Sequence, residues 1–506
     1  MSFRTISCLS ILALAACDAS SEHSSALSPH PSETAQSEDA YFSDAQEKLA
    51  ERLAITERRG PAKNAILFIA DGMDPTTVAA ARIYAGQKQG LKGEEHLLAF
   101  ERFPHVAFSK TYTDDYQVSD SAGTMSAMIT GVKTRSGVIS VTKDVNRNDC
   151  GGAKTHAATT LGELADAAGL AVGVISTARI THATPAAVYA HSANRNWEND
   201  TDLATGVDCK DIARQLIETE TNFDVVMGGG RAKFLPKEAP DPEDEGETGS
   251  RGDGRDLTAE WSAKSSAHRF IWDRAGFDAI DPAEGPKVLA LFERSHMEYE
   301  LDRADDAGGE PSLAEMTAKA IDILSRDPNG FFLVVEGGRV DHAHHAGNAA
   351  RALGDAEAFA EAVAVARAMT SADDTLIITT ADHGHTLAFQ GYPARGNPIL
   401  DLARSPIGEP LRAFDGKPYT TLVYGNGRNS VAGADREDLS DVDVLDKDYR
   451  QQTAIPSGSE THGGQDVGIY ADGPGAYLVG GVVEQNYIFH VLDHALRLSE
   501  RGADAE

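Results

Sequence analysis

Short apolar runs alternate with longer amphipathic stretches along most of the chain. The runs are AILFIA (65–70), VGVIST (172–177), FDVVMGG (223–229), FFLVVEGG (331–338), TLIITTADHG (375–384) and AYLVGGV (476–482). Runs of this length that carry no polar alternation predict strands covered on both faces, and helical stretches between them supply the cover. The pattern therefore predicts an α/β fold built on a large central, mostly parallel β-sheet flanked by helices on both faces. Asp71, Glu336 and the pair Asp382-His383 come directly after three of these runs. Ligands of open α/β sheets bind beyond the carboxyl ends of the strands, so these acids stand where a site is expected.

The N-terminal end of the chain breaks the pattern. Arg4, the apolar stretch from Ile6 to Leu14, and Leu14-Ala15-Ala16 before Cys17 read as an export signal over residues 1–16. Small residues before a cysteine resemble the lipobox of bacterial lipoproteins, which implies a lipid anchor on Cys17 and a periplasmic or cell-surface location. Residues 17–40 are rich in Ser, Ala, Pro and Glu without apolar period and predict a flexible tether. A helical pattern with Leu49 and Leu53 four apart opens the folded body, taken as residues 41–500. Within it, residues 236–256 are acidic with Pro and Gly and predict no regular core element. Residues 391–455 are dense in turn signals and predict a surface subdomain.

Charge narrows the choice of partner. The 506 residues carry 46 basic and 78 acidic side chains, a formal charge of −32. Nucleic-acid binding needs a basic surface and is excluded on this ground. An acidic body also repels anionic substrates, so any anion site must bring its own positive charge, which metal ions would supply. No run approaches the roughly 20 apolar residues of a membrane span. Of four cysteines, Cys8 leaves with the signal and Cys17 takes the lipid. Cys150 and Cys209 then read as one disulfide in an oxidising compartment, the alternative being two unrelated buried thiols.

The remaining chemistry is concentrated in acids, histidines and one serine beside glycine-rich turns. Asp341 and His345 are four apart in a helical segment, so both side chains can converge on one ion, and His462 can complete three ligands with a position left open. His342 and His344 are alternatives that spacing does not separate. Asp382, His383 and Asp71 form a second set, with Ser121 as a fourth ligand. Asp71 can also bridge to a harder ion held by Glu336 and the Thr184 hydroxyl, an oxygen set that favours magnesium. Ser121, in Asp120-Ser121-Ala122-Gly123-Thr124, is by default a helix N-cap. The same position at a helix start beside zinc suits an activated nucleophile on an anionic substrate. Arg195 is the candidate phosphate fork, against a surface salt bridge.

At these residues the chain resembles alkaline phosphatases, and the animal and related bacterial forms most. The motifs DGM, DSAGT, STARITHATPA, YAHSANRNW, VEGGRVDHAHH, TADHGH and ETHGGQDV carry the resemblance from about Ala65 to Leu498. It implies a phosphomonoesterase working through a phosphoserine on Ser121, with two zinc ions and one magnesium. Zinc one would be held by Asp341, His345 and His462, and zinc two by Asp71, Asp382 and His383. Magnesium would use Asp71, Thr184 and Glu336, with His182 close by. Arg195 would clamp the phosphate, Asp120 would orient it, and His342 would stand near the phosphate. The resemblance further implies the Cys150–Cys209 disulfide, a crown-type insertion at 391–455 and a homodimer. It also implies a fourth site, usually calcium, at Glu243, the Phe292 carbonyl, Glu293 and Glu310, although Glu310 stands where an Asp is typical.

Three other readings compete. A sulfatase would carry a Cys/Ser-x-Pro-x-Arg signature, whereas Ala-Gly-Thr follows Ser121. A phosphodiesterase of the same superfamily would commonly use threonine and lack the third metal. A non-catalytic phosphate-binding scaffold would lack a ligand or the nucleophile, and every position here is filled.

Overall fold

The computed structural model describes residues 35–503, except 205, 207, 433 and 434. The signal, Cys17 and most of the tether therefore lie outside the described residues. Contacts divide the chain into a unit ending at Ile55 and a second running from Thr56. The first contains the helix Ala40–Leu53, capped by Asp39, and none of its residues is buried. The helix expected to open the folded body from residue 41 lies in this first unit, and Leu49 and Leu53 on it are exposed.

In the second unit the strands, in chain order, are β1 (Asn64–Ala70), β2 (His105–Lys110), β3 (Ala171–Arg179), β4 (Phe223–Gly229), β5 (His268–Ile271), β6 (Lys287–Leu291), β7 (Phe331–Gly337), β8 (Thr375–Thr380), β9 (Gly384–His385), β10 (Leu387–Phe389), β11 (Leu422–Gly427), β12 (Thr453–Pro456), β13 (His462–Gly463), β14 (Val467–Asp472) and β15 (Gly481–Glu484). Ten of them form one sheet in the order β15-β2-β14-β8-β1-β7-β3-β4-β6-β5. All its pairings are parallel except those of β14 with β8 and with β2. The predicted α/β sheet is therefore present.

β1, β7 and β8 are buried along their whole length. Their side chains alternate between two cores, Ile66 and Phe68 entering one and Leu67 and Ile69 the other. This explains the unbroken apolar runs and why helices such as Ala349–Met369 and Ser121–Thr130 must cover opposite faces. The run at 476–482 behaves differently from its prediction. Ala476–Leu478 is a 3₁₀ turn, and only Gly481–Glu484 pairs, as the edge strand.

The two insertions also differ from a plain surface loop. Residues 236–256 form no helix or strand, as expected. They are nevertheless pinned by the fully buried Arg251, which donates to Asp211 at 3.0 Å and Asp253 at 2.6 Å. Residues 391–455 contribute β11 and most of β12 to a three-stranded sheet with β10, over a small core of Leu402, Leu439 and Val444.

Candidate active site

Three neighbouring strands deliver the acids to one end of the sheet. β1 ends at Ala70 and is followed by Asp71, β7 carries Glu336 near its end, and β8 is followed by Asp382 and His383. Register places Ile69 opposite both Glu336 and Thr380, so the three ends lie level. Gly72, at φ +77°, turns the chain sharply after Asp71. Its N–H donates to Asp382 Oδ1 at 3.1 Å, and a Cβ there would sit 2.5 Å from the His385 ring. Only glycine fits both demands.

The serine is supplied by the helix Ser121–Thr130. Asp120, not Ser121, is its N-cap: the carboxylate accepts from Gly123 N at 3.2 Å. Ser121 is the first helical residue, 1% exposed, with its Oγ 3.2 Å from His383 Nε2. The same Nε2 lies 3.3 Å from Asp71 Oδ1 and 3.3 Å from Asp382 Oδ2. The structure thus brings Ser121, Asp71, Asp382 and His383 together.

A second group gathers on the short helix Arg339–His345, which Gly347 (φ +70°) ends before a new helix starts at Ala349. His345 Nε2 is 3.0 Å from His462 Nε2, and both lie 3.3 Å from Asp341 Oδ1. Each histidine donates Nδ1–H to a carbonyl, His345 to Glu460 O and His462 to Ser119 O, both at 2.7 Å. With Nδ1 of each ring so engaged, both Nε2 atoms turn toward one another and toward the Asp341 carboxylate, the arrangement in which a cation is held. His344 is excluded from this group. Its Nδ1 meets Tyr424 OH at 2.8 Å and its Nε2 meets Thr77 Oγ1 at 3.2 Å, in the core.

The third group is Asp71, His182 and Glu336. Glu336 accepts a short hydrogen bond from the Ser176 hydroxyl, and its Oε1 has no partner. Thr184 faces Glu336 without a well-formed hydrogen bond. Neither oxygen of the fully buried Asp71 has a donor. Burial, then the charges of Asp382, Asp341 and Glu336, push the Asp71 carboxyl well above its usual range. Burial is also the main cause that lifts Glu336 to about 8. Buried carboxylates without donors are costly unless cations neutralise them. The donor sets match zinc for the first two groups, and magnesium for the third through the oxygens of Asp71, Glu336 and Thr184.

Beside these groups sits the Arg195 guanidinium. Arg195 donates from Nη1 to Asp120 Oδ2 at 3.0 Å, and its Nη2 lies 3.0 Å from His182 Nε2. Asp120 also accepts from Gly137 N and Ser136 Oγ. Burial opposes its charge, but Arg195 and these donors outweigh it and lower its pKa. His182 is driven well below its ordinary value, first by burial and then by Arg195 and His342. His342 falls to about 3, burial again leading, and its ring packs against His182 and His296.

The fourth expected group is only partly as predicted. The carboxylates that meet are Glu243, Glu293 and Asp306, and Asp306 was not foreseen. Glu310 lies beside them, 3% exposed, accepting from Glu298 N while its Oε2 has no partner. The turn at Arg303–Asp305 carries Asp306 over Glu310, whose N–H it accepts at 2.7 Å. The Phe292 carbonyl accepts from Arg231 Nη1 at 2.9 Å, and Arg231 Nη2 also holds Glu243.

Two residues quoted in motifs but given no role complete the first group. His385 donates to Asp341 Oδ1 at 2.8 Å and to Glu460 Oε2 at 2.6 Å. Both rings of the Asp-His-Gly-His sequence therefore serve the site, a spacing that could have drawn attention to it. Burial opposes the charge on His385, but hydrogen bonds to Asp341 and Glu460 raise it to about 10. Cys150 and Cys209 form the expected disulfide, packed against a small core that includes Ala193 and Trp197.

Comparison with known proteins agrees with this geometry. Residues 62–498 match the family model for alkaline phosphatase. The chain is 45% identical to the tissue-nonspecific alkaline phosphatase of Gallus gallus over 463 residues, covering 89% of this chain and 88% of that one. The Homo sapiens isozyme is 44% identical over 467 residues, 90% and 88% of the two chains. Among solved structures, Thermus thermophilus alkaline phosphatase superposes with a TM-score of 0.63 at 24% identity over 89% of this chain and 96% of that one, a likeness of fold. The enzyme from the Antarctic bacterium TAB5 gives 0.60 at 22% identity over 87% and 99%. A match across nearly the whole folded body, with clusters of histidines and carboxylates able to hold metal ions, makes this chain a member of the alkaline phosphatase family of metal-dependent phosphomonoesterases.

Proposed function

We propose that this enzyme transfers the phosphoryl group of a monoester to Ser121 and then to water. The observation that carries the reading is Ser121 Oγ at 3.2 Å from His383 Nε2, at a helix start whose N–H groups favour an anion. Zinc one would be held by Asp341, His345 and His462, and zinc two by Asp71, Asp382, His383 and Ser121. Magnesium would be held by Asp71, Thr184 and Glu336. When bound, these ions supply positive charge for the nucleophile, the leaving oxygen and the phosphoryl oxygens.

The chain's own groups do the rest. Arg195, preset by Asp120 and His182, holds two phosphate oxygens so that phosphorus faces Ser121 Oγ. Serine oxygen attacks as the ester oxygen departs with a proton. Water then displaces the serine, which regains its hydroxyl, and two in-line displacements leave phosphorus with retained configuration. Neutral His182 and His342 line the approach without competing with Arg195 for the anion. The test is acid quenching with labelled substrate: label on Ser121, and none in Ser121→Ala, is expected. An unlabelled wild-type enzyme that turns over rapidly would overturn the reading.

Three finer features belong to the same proposal. Glu243, Glu293 and Asp306, with the Phe292 carbonyl and Glu310 beside them, would take calcium. A homodimer is supported by the large apolar side chains exposed on and beside residues 391–455, among them Tyr392, Ile407 and Phe414. Export as a lipoprotein is supported by the signal ending at Cys17 and by the disulfide.

A further inference from the structure

Glu460 is 1% exposed and every polar atom it owns is engaged around the first metal group. Its backbone forms a reciprocal pair with His345: Glu460 N donates to His345 O at 3.1 Å, and His345 Nδ1 donates to Glu460 O at 2.7 Å. Its side chain points the other way. Oε2 accepts from His385 Nδ1 at 2.6 Å, and His385 Nε2 in turn donates to Asp341 Oδ1 at 2.8 Å. Oε1 is held by Thr386, from its N–H at 2.7 Å and its hydroxyl at 2.6 Å. Two residues later the chain presents His462.

We infer that Glu460 is the positioning residue of the first metal group, setting two ligands at once and handing on the third. The backbone carbonyl fixes the ring of His345 with Nε2 toward the ion. The carboxylate, through His385, fixes the orientation of Asp341, whose Oδ1 faces both His345 Nε2 and His462 Nε2. Thr386 prevents the carboxylate from rotating. Ligands held by such outer hydrogen bonds lose about 10- to 100-fold in metal affinity when the partner is removed. This inference rests on the reading of Asp341, His345 and His462 as the ligands of one zinc.

The effect is specific to the carboxylate. In Glu460→Gln the shape is kept, but the new NH₂ must face either His385 Nδ1–H or the two Thr386 donors. One donor then meets another, and His385 loses its alignment.

The test is zinc affinity, read by competition with a chromophoric chelator on the full chain, together with the visible spectrum of the cobalt-substituted protein. Glu460→Gln should weaken one zinc by about 10- to 100-fold, leave the other zinc unchanged and alter the cobalt bands. On a His385→Gln background the same substitution should add little, because both act along one line. Thr386→Val, which removes only the hydroxyl, should give a smaller loss in the same direction and serves if Glu460→Gln does not fold. Wild-type zinc affinity and cobalt bands in Glu460→Gln or Thr386→Val would overturn the inference. His345→Ala separates the two levels of argument: if it loses a zinc while Glu460→Gln does not, only the role of Glu460 fails. If His345→Ala also keeps both zincs, the ligand reading itself fails.

Discussion

Arg195 and Asp120 are joined by a 3.0 Å hydrogen bond although they lie 75 residues apart. Asp120 is at once the cap of the helix that begins with Ser121 and the partner of the Arg195 guanidinium. The proposed nucleophile and the proposed anion clamp are thereby set against a single carboxylate.

Arg195→Ala should therefore reduce kcat/KM by about 10- to 100-fold, the worth of a charge-assisted pair to an anion. It should weaken inhibition by inorganic phosphate in parallel. Asp120→Asn should act in the same direction and less, since Gly137 and Ser136 still hold its remaining oxygen. Steady-state kinetics with phosphate as a competitive inhibitor checks both.

Metal removal should make stability depend on pH with a definite sign. Glu336 is raised to about 8 and Glu293 to about 8, from an ordinary value of 4.5, with burial the leading cause in each. The folded metal-free protein then binds protons that the unfolded chain has released, so its stability falls as pH rises from about 4.5 through 8. Magnesium would replace the proton at Glu336 and calcium the one at Glu293. Calorimetry of the chelated protein should show a lower Tm at pH 9 than at pH 6, reloading with magnesium and calcium should abolish the difference, and adding zinc as well should restore activity.

The Cys150–Cys209 disulfide closes a loop between residues 59 apart. Chain entropy assigns such a closure about 4 kcal/mol. Cys150→Ser should lower Tm measurably by calorimetry under oxidising conditions. It should also raise the KM for monoesters modestly, because both cysteines pack against the small core that holds Ala193 and Trp197, on either side of Arg195.

If Cys17 carries lipid, Cys17→Ala should move the enzyme from the membrane to the soluble fraction without changing kcat. Fractionation followed by an activity assay reads this directly, and unchanged partition would exclude the anchor.

The sequence made parts of this architecture readable for physical reasons. β1, β7 and β8 are apolar on both faces, and their runs stand out from any background. β14 is just as central but carries Gly468 and Tyr470 between Val467, Ile469 and Ala471, so no continuous run marks it. The stretch at 476–482 misled because its apolar residues pack under a turn as well as along an edge. His344 and His345 could not be separated by spacing, since three and four residues from Asp341 share one helix face. Their difference is made by Tyr424, eighty residues away from His344. Asp306 was invisible for a similar reason: its partners Glu243 and Glu293 come from other loops, and only the turn before it brings the three together.

Asp71 belongs to two of the metal-ligand groups, one with His383 and one with Glu336. A shared carboxylate makes filling of the two cooperative. The first ion to arrive would meet a fully buried acid whose pKa is raised, and the second would find that carboxylate already ionised. Half-loaded protein should then be scarce, and the enzyme should switch between an empty and a fully loaded form over a narrow range of free metal.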